Sequence, residues 1–273
     1  MTNRQNELNN LRLAILIDAD NAPRDCLRGV MEEVAIYGTL TIKRIYGDWT
    51  SPNVGGWKTS LLENAVTPVQ QYGYTTGKNS TDSAMIIDAM DILYAGKTDG
   101  FVLVSSDSDF TRLAIRLREA GMRVIGIGER KTPNPFIVAC DKFIYIEVIR
   151  DRFTKEKNEE KAKAAPVVQK KPNNQKTPIP AEKAPEKAPA RVIPDSIISL
   201  IADSVADITD DDGFCDLSYL GNLIIKKQPD FDPRNFGFGK LSTMLKSLPR
   251  FELEVRPTAD PNYKTMFIKD KEA

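Results

Sequence analysis

The chain contains no histidine among its 273 residues. That absence excludes a Ser-His-Asp triad, a Cys-His pair, imidazole acid–base catalysis and any zinc site with a histidine ligand. Cysteine is scarce as well: Cys26, Cys140 and Cys215 are scattered, odd in number and form no CxxC pair. No disulfide framework follows from them, and a reducing compartment is the natural expectation. No apolar run approaches membrane-spanning length. Met1–Asn10 is polar and does not read as a secretion signal, so the expected location is cytoplasmic. Excess charge is missing too. The 38 basic residues balance 38 acidic ones, and bulk charge therefore says nothing about a nucleic-acid partner. Any chemistry must run on carboxylates, a metal ion, lysine, tyrosine, serine or cysteine.

The charge that is present is unevenly spread. Residues 155–191 hold ten basic and five acidic residues, six prolines and no aromatic residue. This composition cannot bury a core and predicts a disordered linker. As a flexible coil its ends would stand roughly 35 Å apart. It separates an expected α/β domain over residues 1–154 from a smaller unit over 192–273.

Within residues 11–149 strand and helix signals alternate. Leu13–Ile17, Thr41–Tyr46, Thr67–Gln71, Phe101–Ser105 and Arg123–Ile127 predict strands, with Phe143–Val148 a candidate sixth. Helices are expected from Pro23 to Ala35, from the end of the loop 47–58 through Glu63, from Ser80 or Thr81 to Ala95, and from Phe110 to Ala120 with Gly121 as its cap. The alternation predicts a doubly wound, mostly parallel sheet with helices on both faces. In the C-terminal unit, Ile193–Val205, Leu217–Lys227 and Phe236–Leu248 have helical periodicity. Phe251–Arg256 and Thr265–Lys269 follow as short strands, which makes a small winged-helix-like module.

Two of the apolar runs end in acids. Leu13–Ile17 leads into Asp18, and Phe101–Ser105 leads into Ser106-Asp107-Ser108-Asp109. Ligands of open parallel sheets bind beyond the carboxyl ends of the strands, at the point where the strand order reverses. With strand order 3-2-1-4-5, the first and fourth strands are neighbours there. Asp82, at the start of the helix after the third strand, approaches the same crevice. Carboxylates gathered in one place repel one another unless a cation sits among them, and hard oxygen donors suit Mg²⁺ or Mn²⁺. The expectation is metal-dependent phosphate chemistry at Asp18, Asp82, Asp107 and Asp109.

Each residue also has a plainer reading. Asp109 or Ser108 can cap the helix that follows, and Asp82 can complement a helix dipole. Asp88 and Asp91 share a helical stripe with Ala84 and Ala95 and read as a solvated face. Lys78 is either a phosphate contact or a solvated loop lysine. Trp49 and Trp57 either stack the bases of a single strand or anchor their loop to the core. Phe236 and Phe238 read as core residues.

Ile17-Asp18-Ala19-Asp20-Asn21, Tyr46-Gly47-Asp48-Trp49, Lys78-Asn79-Ser80-Thr81-Asp82 and Leu103-Val104-Ser105-Ser106-Asp107-Ser108-Asp109-Phe110 together resemble the NYN domain, a family of PIN-like ribonucleases. The resemblance covers roughly residues 11–150. It implies a doubly wound sheet and a ribonuclease using Mg²⁺ or Mn²⁺. The family's catalytic, metal-binding acids would be Asp18, Asp82, Asp107 and Asp109, its strand-one asparagine Asn21, and its small hydroxyl residue Ser105. Substrate contacts are expected at Asn21, Ser105, Lys78 and Trp49. Gly213-Phe214-Cys215-Asp216-Leu217-Ser218-Tyr219-Leu220-Gly221 and Phe231-Asp232-Pro233-Arg234-Asn235-Phe236-Gly237-Phe238-Gly239-Lys240-Leu241 resemble the LOTUS or OST-HTH domain, over about residues 193–270. That family implies a winged helix associated with RNA and, in some members, with protein partners. Residues 192–273 carry 10 basic and 14 acidic groups, which departs from the profile of a strong phosphate binder.

RNA is thus the expected partner, with a protein partner at the C-terminal unit as a second expectation and no membrane. Two rivals stand beside the nuclease. In the first, a non-catalytic RNA-binding adaptor, the acidic pocket is vestigial; metal-dependent cleavage separates the two. In the second, Asp18-Ala19-Asp20 is similar to the nucleophile motif of haloacid-dehalogenase-like phosphatases. Ala22 stands where that motif has Thr or Val, and no downstream lysine motif is in place.

Overall fold

Strand β1 (Arg12–Asp18) is buried along its whole length after Arg12, as expected of a run of Leu, Ala and Ile at the centre of a parallel sheet covered on both faces. The computed structural model describes residues 11–72, 80–154, 193–210, 212–257 and 264–272. Around β1 stand β2 (Thr39–Gly47), β3 (Thr67–Gln70), β4 (Gly100–Val104), β5 (Arg123–Gly128) and β6 (Lys142–Tyr145). Their order is β3-β2-β1-β4-β5-β6, and every pairing is parallel. The order reverses between β1 and β4, the two strands that end in the candidate acids.

Alternate residues of β1 feed two cores, as the period of a strand dictates. Leu13, Ile15 and Ile17 pack with Leu27, Val30 and Val34 of α1 (Leu27–Val34), with Leu61 of α2 (Lys58–Asn64), and with Ile146 and Ile149. Ala14 and Leu16 pack with Met85 and Ala89 of α3 (Ser80–Tyr94), Leu113 and Leu117 of α4 (Thr111–Glu119), and Phe136 of α5 (Asn134–Ala139). Gly121, with φ of 80°, closes α4 in the left-handed region.

Three elements differ from the reading of the sequence. The sixth strand stops at Tyr145, and residues 146–154 are helical (α6). Ile146 and Ile149 are buried at helical spacing, which the strand-favouring run of β-branched and aromatic residues Ile144-Tyr145-Ile146 conceals. Helix α5 has six residues between Pro133 and Cys140, too few to show a period. The expected helix Phe236–Leu248 is divided: Pro233–Phe236 forms a 3₁₀ turn, Gly237 takes φ of 80°, and α9 begins at Leu241.

The C-terminal unit has its own core. Helices α7 (Asp195–Ala206), α8 (Leu217–Lys227) and α9 (Leu241–Lys246) pack on an antiparallel sheet of order β7-β9-β8, formed by Cys215–Asp216, Lys264–Asp270 and Phe251–Pro257. Ile201, Leu220, Ile224, Met244, Leu245 and Ile268 are wholly buried there, and Phe238 joins them. Asp216 caps α8 by accepting from the Ser218 amide. Cys26, Cys140 and Cys215 are all buried free thiols. Among the described residues no helix is long and apolar enough to cross a membrane.

The two units touch. The segment from Pro229 to Arg234 lies along the β6 edge: the Phe143 amide donates to the Pro229 carbonyl at 2.9 Å, and the Tyr145 hydroxyl donates to Asp230 at 2.7 Å. Arg234 donates both arms of its guanidinium to Glu33 of α1, at 2.8 and 2.6 Å, and also holds Asp232 at 2.7 Å. Glu33 is 2% exposed. The contact satisfies part of an open sheet edge, which would otherwise be a template for pairing with other chains.

Candidate active site

Asp18 is the last residue of β1 and is fully buried. The chain turns directly after it, with the Ala22 amide donating to the Asp18 carbonyl at 2.9 Å. Its side chain organises that turn. One oxygen accepts from the amides of Asp20 (3.0 Å) and Asn21 (3.3 Å). The other accepts from the Asn21 side-chain amide and the Ser105 hydroxyl, both at 2.8 Å. These four bonds fill the acceptor sites a carboxylate offers. Burial raises the Asp18 pKa, and the bonds from Asn21, Ser105 and Asp20 work against that rise.

Ser105, the residue after β4, is also fully buried. Besides donating to Asp18, its hydroxyl accepts from the Asp107 amide at 3.1 Å. It joins the ends of β1 and β4 and shapes the loop that presents the next acids. Asp107 caps the 3₁₀ turn Ser108–Phe110 by accepting from the Asp109 amide at 2.9 Å. The cap is therefore Asp107, not Asp109 or Ser108.

Asp82 lies in the first turn of α3. One carboxylate oxygen each from Asp82, Asp107 and Asp109 lie within 4.8 Å of one another, the only such acidic group among the described residues. Asp82 is buried, Asp107 half-buried and Asp109 exposed, so the cluster opens to solvent on one side. Burial, followed by the charges of Asp18, Asp107 and Asp109, pushes the Asp82 carboxyl up to about 6. Asp18 lies near enough to contribute to that field but outside the group of three. No lysine or arginine among the described residues forms an ion pair with Asp82 or Asp107. Three hard oxygen donors brought this close together fit a hard divalent cation.

The flanking residues fall into clear roles. Asn21 is half-buried and spends its side chain on Asp18. Lys78 lies outside the described residues. Trp57 is 2% exposed and belongs to the core. Trp49 is half-buried, with its indole N–H donating to the Val69 carbonyl and its backbone amide to Gln70, both at 2.9 Å. Asp88 corrects the expectation of a solvated face: it pairs with Arg44 and accepts from the Tyr46 hydroxyl, both on β2. Residues so far apart in the chain give no local signal of such a pairing.

The NYN domain model matches residues 12–147 of this chain, and the OST-HTH/LOTUS domain model matches residues 189–263, in that order. The chain is an NYN–LOTUS protein. No curated protein matches it. Among solved structures, this NYN–LOTUS chain is similar to a protein of unknown function from Vibrio parahaemolyticus, at 20% identity and a TM-score of 0.44, over 50% of this chain and 94% of that one. It is also similar to an uncharacterized protein from Nitrosomonas europaea, at 30% identity and a TM-score of 0.26, over 37% and 92% of the two chains. A protein from Chromobacterium violaceum is similar at 28% identity and a TM-score of 0.22, over 33% and 87%. The family match places Asp18-Ala19-Asp20 in an NYN domain rather than a phosphatase. The two domains give the NYN–LOTUS protein an RNA-related role within a nuclease superfamily.

Proposed function

We propose that the protein is a ribonuclease that hydrolyses RNA phosphodiesters with Mg²⁺ or Mn²⁺, and that its LOTUS domain holds the RNA. The observation that carries this reading is the convergence of Asp82, Asp107 and Asp109 within 4.8 Å, at the strand-order reversal of an NYN sheet. These three acids would hold the ion, and Asp18 adds its charge from beneath as the fourth acid of the set. The chemistry such an ion supplies is activation of water and stabilisation of the charge that develops on the phosphate. Asn21 and Ser105 act by fixing Asp18 and the β4 loop. The exposed part of the Trp49 ring offers a face for a base, and Lys78 is assigned to a phosphate.

The test is cleavage of labelled single-stranded and structured RNA by the full chain, with Mg²⁺, with Mn²⁺ and with chelator. Cleavage is expected only with a divalent ion, and Asp107→Asn is expected to lower it at least about 100-fold. RNA that is bound but never cut would replace the nuclease with a binding adaptor.

Ser105→Ala tests the support beneath the acids. It removes one of four bonds to a buried carboxylate and the acceptor for the Asp107 amide. Cleavage is expected to fall about 10–100-fold, the usual cost of losing a group that orients a metal's surroundings, while the melting profile stays cooperative. Unchanged cleavage would show that the Ser105 bridge is dispensable.

A further inference from the structure

Beyond the end of β1 runs an open groove of about 720 Å³, lined by Ala19, Asp20, Ala22, Arg24, Gly56 and Ser60 among others; its Asp20 is near enough to the acidic cluster to add to the field on Asp82. Its wall begins at Ala19, the residue after Asp18, so the groove leads away from the end of β1. Most arginines of this protein are committed to acids. Arg12 holds Asp99, Arg44 holds Asp88, Arg118 holds Asp141, and Arg150 holds Asp25. Arg24, like Arg112 and Arg123, forms no ion pair or side-chain hydrogen bond among the described residues, and of these three it alone lines this groove.

The guanidinium is nevertheless placed. A Cβ at position 56 would lie 1.5 Å from Arg24 Nη1 and 2.8 Å from Cζ. Gly56 thus leaves the space that the Arg24 head group occupies. Trp57, buried in the core, fixes the backbone behind it. An unpaired planar fork of donors in the groove beyond β1 has one chemical use that the neighbouring carboxylates cannot serve, which is to bind an oxyanion.

Resting on the ribonuclease reading, we infer that Arg24, seated on Gly56, is a phosphate subsite that holds single-stranded RNA at a phosphate flanking the scissile bond. The groove also contains Asp20 and Asp25, with Asp25 held by Arg150, so binding here depends on the fork of Arg24 rather than on a broadly positive surface. Arg24 is a positioning residue: it orients the strand and leaves the chemistry to the acids.

The experiment measures equilibrium binding of a fluorescein-labelled single-stranded RNA to the full chain in chelator, as a function of salt. Wild type, Arg24→Ala, Arg24→Lys and Gly56→Ala are compared. Arg24→Ala is expected to weaken binding about 10-fold, as for loss of a hydrogen bond to a charged group. It should also reduce the slope of log affinity against log salt by about 0.7, the share of one phosphate contact in a single strand. Arg24→Lys should keep the slope and recover part of the affinity, because lysine keeps the charge but not the fork. Gly56→Ala should weaken binding with Arg24 still present, since the new methyl group displaces only the end of a flexible side chain. With a divalent ion, these variants should raise KM for RNA with little change in kcat, whereas Asp107→Asn lowers kcat. Wild-type binding with an unchanged slope in Arg24→Ala would overturn the subsite and leave the nuclease standing. Failure of wild type to bind RNA at all would overturn both.

Discussion

Asp82→Asn is expected to make the metal-free protein more stable while it disables cleavage. The wild-type side chain is buried and faces Asp18, Asp107 and Asp109, which raises its carboxyl from 3.8 to about 6. A raised carboxyl pKa means that the folded state binds the proton more tightly than the unfolded chain. Below pH 4 both states are protonated and there is no penalty. Between pH 4 and pH 6 the penalty grows, and above pH 6 it is fully present. Stability of the metal-free protein should therefore decline as pH rises through this window, and Asp18, raised in the same direction, adds to the trend. Asparagine keeps the shape and removes the charge, so at pH 7.5 in chelator it should gain about 2 kcal/mol. Divalent ion reverses the order: wild type should gain melting temperature on adding Mg²⁺ or Mn²⁺, and the variant should gain little. Thermal melts with and without chelator, at pH 5 and pH 7.5, decide it. A variant less stable than wild type in chelator at pH 7.5 would mean that the Asp82 charge is compensated in the folded protein. The stabilising change and the disabling change are then one substitution, the usual relation between a strained site and its function.

The second large effect is expected at the boundary between the domains. Arg234→Ala leaves Glu33, 2% exposed, with Arg152 at 3.7 Å as its one remaining ion-pair partner among the described residues. Truncating one member of a buried, hydrogen-bonded charge pair costs about 2–5 kcal/mol, much of it from the charge left behind. The protein can avoid that cost by opening. Each domain has its own buried core, so separation would return Glu33 to water and leave both folds intact. The expected result is a larger radius of gyration by solution scattering, faster exchange of the Phe143 amide at the β6 edge, and nearly unchanged secondary structure. Arg234→Lys should restore part of the contact, because lysine carries the charge without the two-armed geometry. Scattering and exchange identical to wild type would show that the Pro229 and Asp230 contacts suffice to hold the domains together.

These two predictions mark what the sequence does and does not reveal. The sheet order could be read because Leu13–Ile17 and Phe101–Val104 are continuous apolar runs that only a central parallel strand explains. The convergence of Asp82, Asp107 and Asp109 could be read because they sit at strand and helix ends, where the ligands of parallel sheets are expected. What could not be read was consumption of hydrogen-bonding capacity. No spacing rule shows that Asn21 and Ser105 fill the oxygens of Asp18, or that Asp88 is taken by Arg44 and Tyr46. The short helix α5 and the end of β6 were lost for a related reason. Phe136, Ile137, Ile146 and Ile149 find their place by packing, and a few residues carry too little periodicity to announce it. The Glu33–Arg234 pair spans 201 positions, and nothing near either residue points to the other.

Docking of the LOTUS domain also changes what the segment between the domains is for. The chain leaves α6 at Thr154 and re-enters at Ile193 on a body already fastened to the first. The two points that the intervening segment must join, Thr154 and Ile193, are therefore held at a fixed separation. A tether sets how far a module can search, so its length tunes the encounter. A closed loop only has to reach, and each doubling of its length costs about 0.6 kcal/mol. A segment that joins two fixed points is expected to tolerate changes in its length. The alternating Lys, Glu, Ala and Pro of residues 155–191 suit that role.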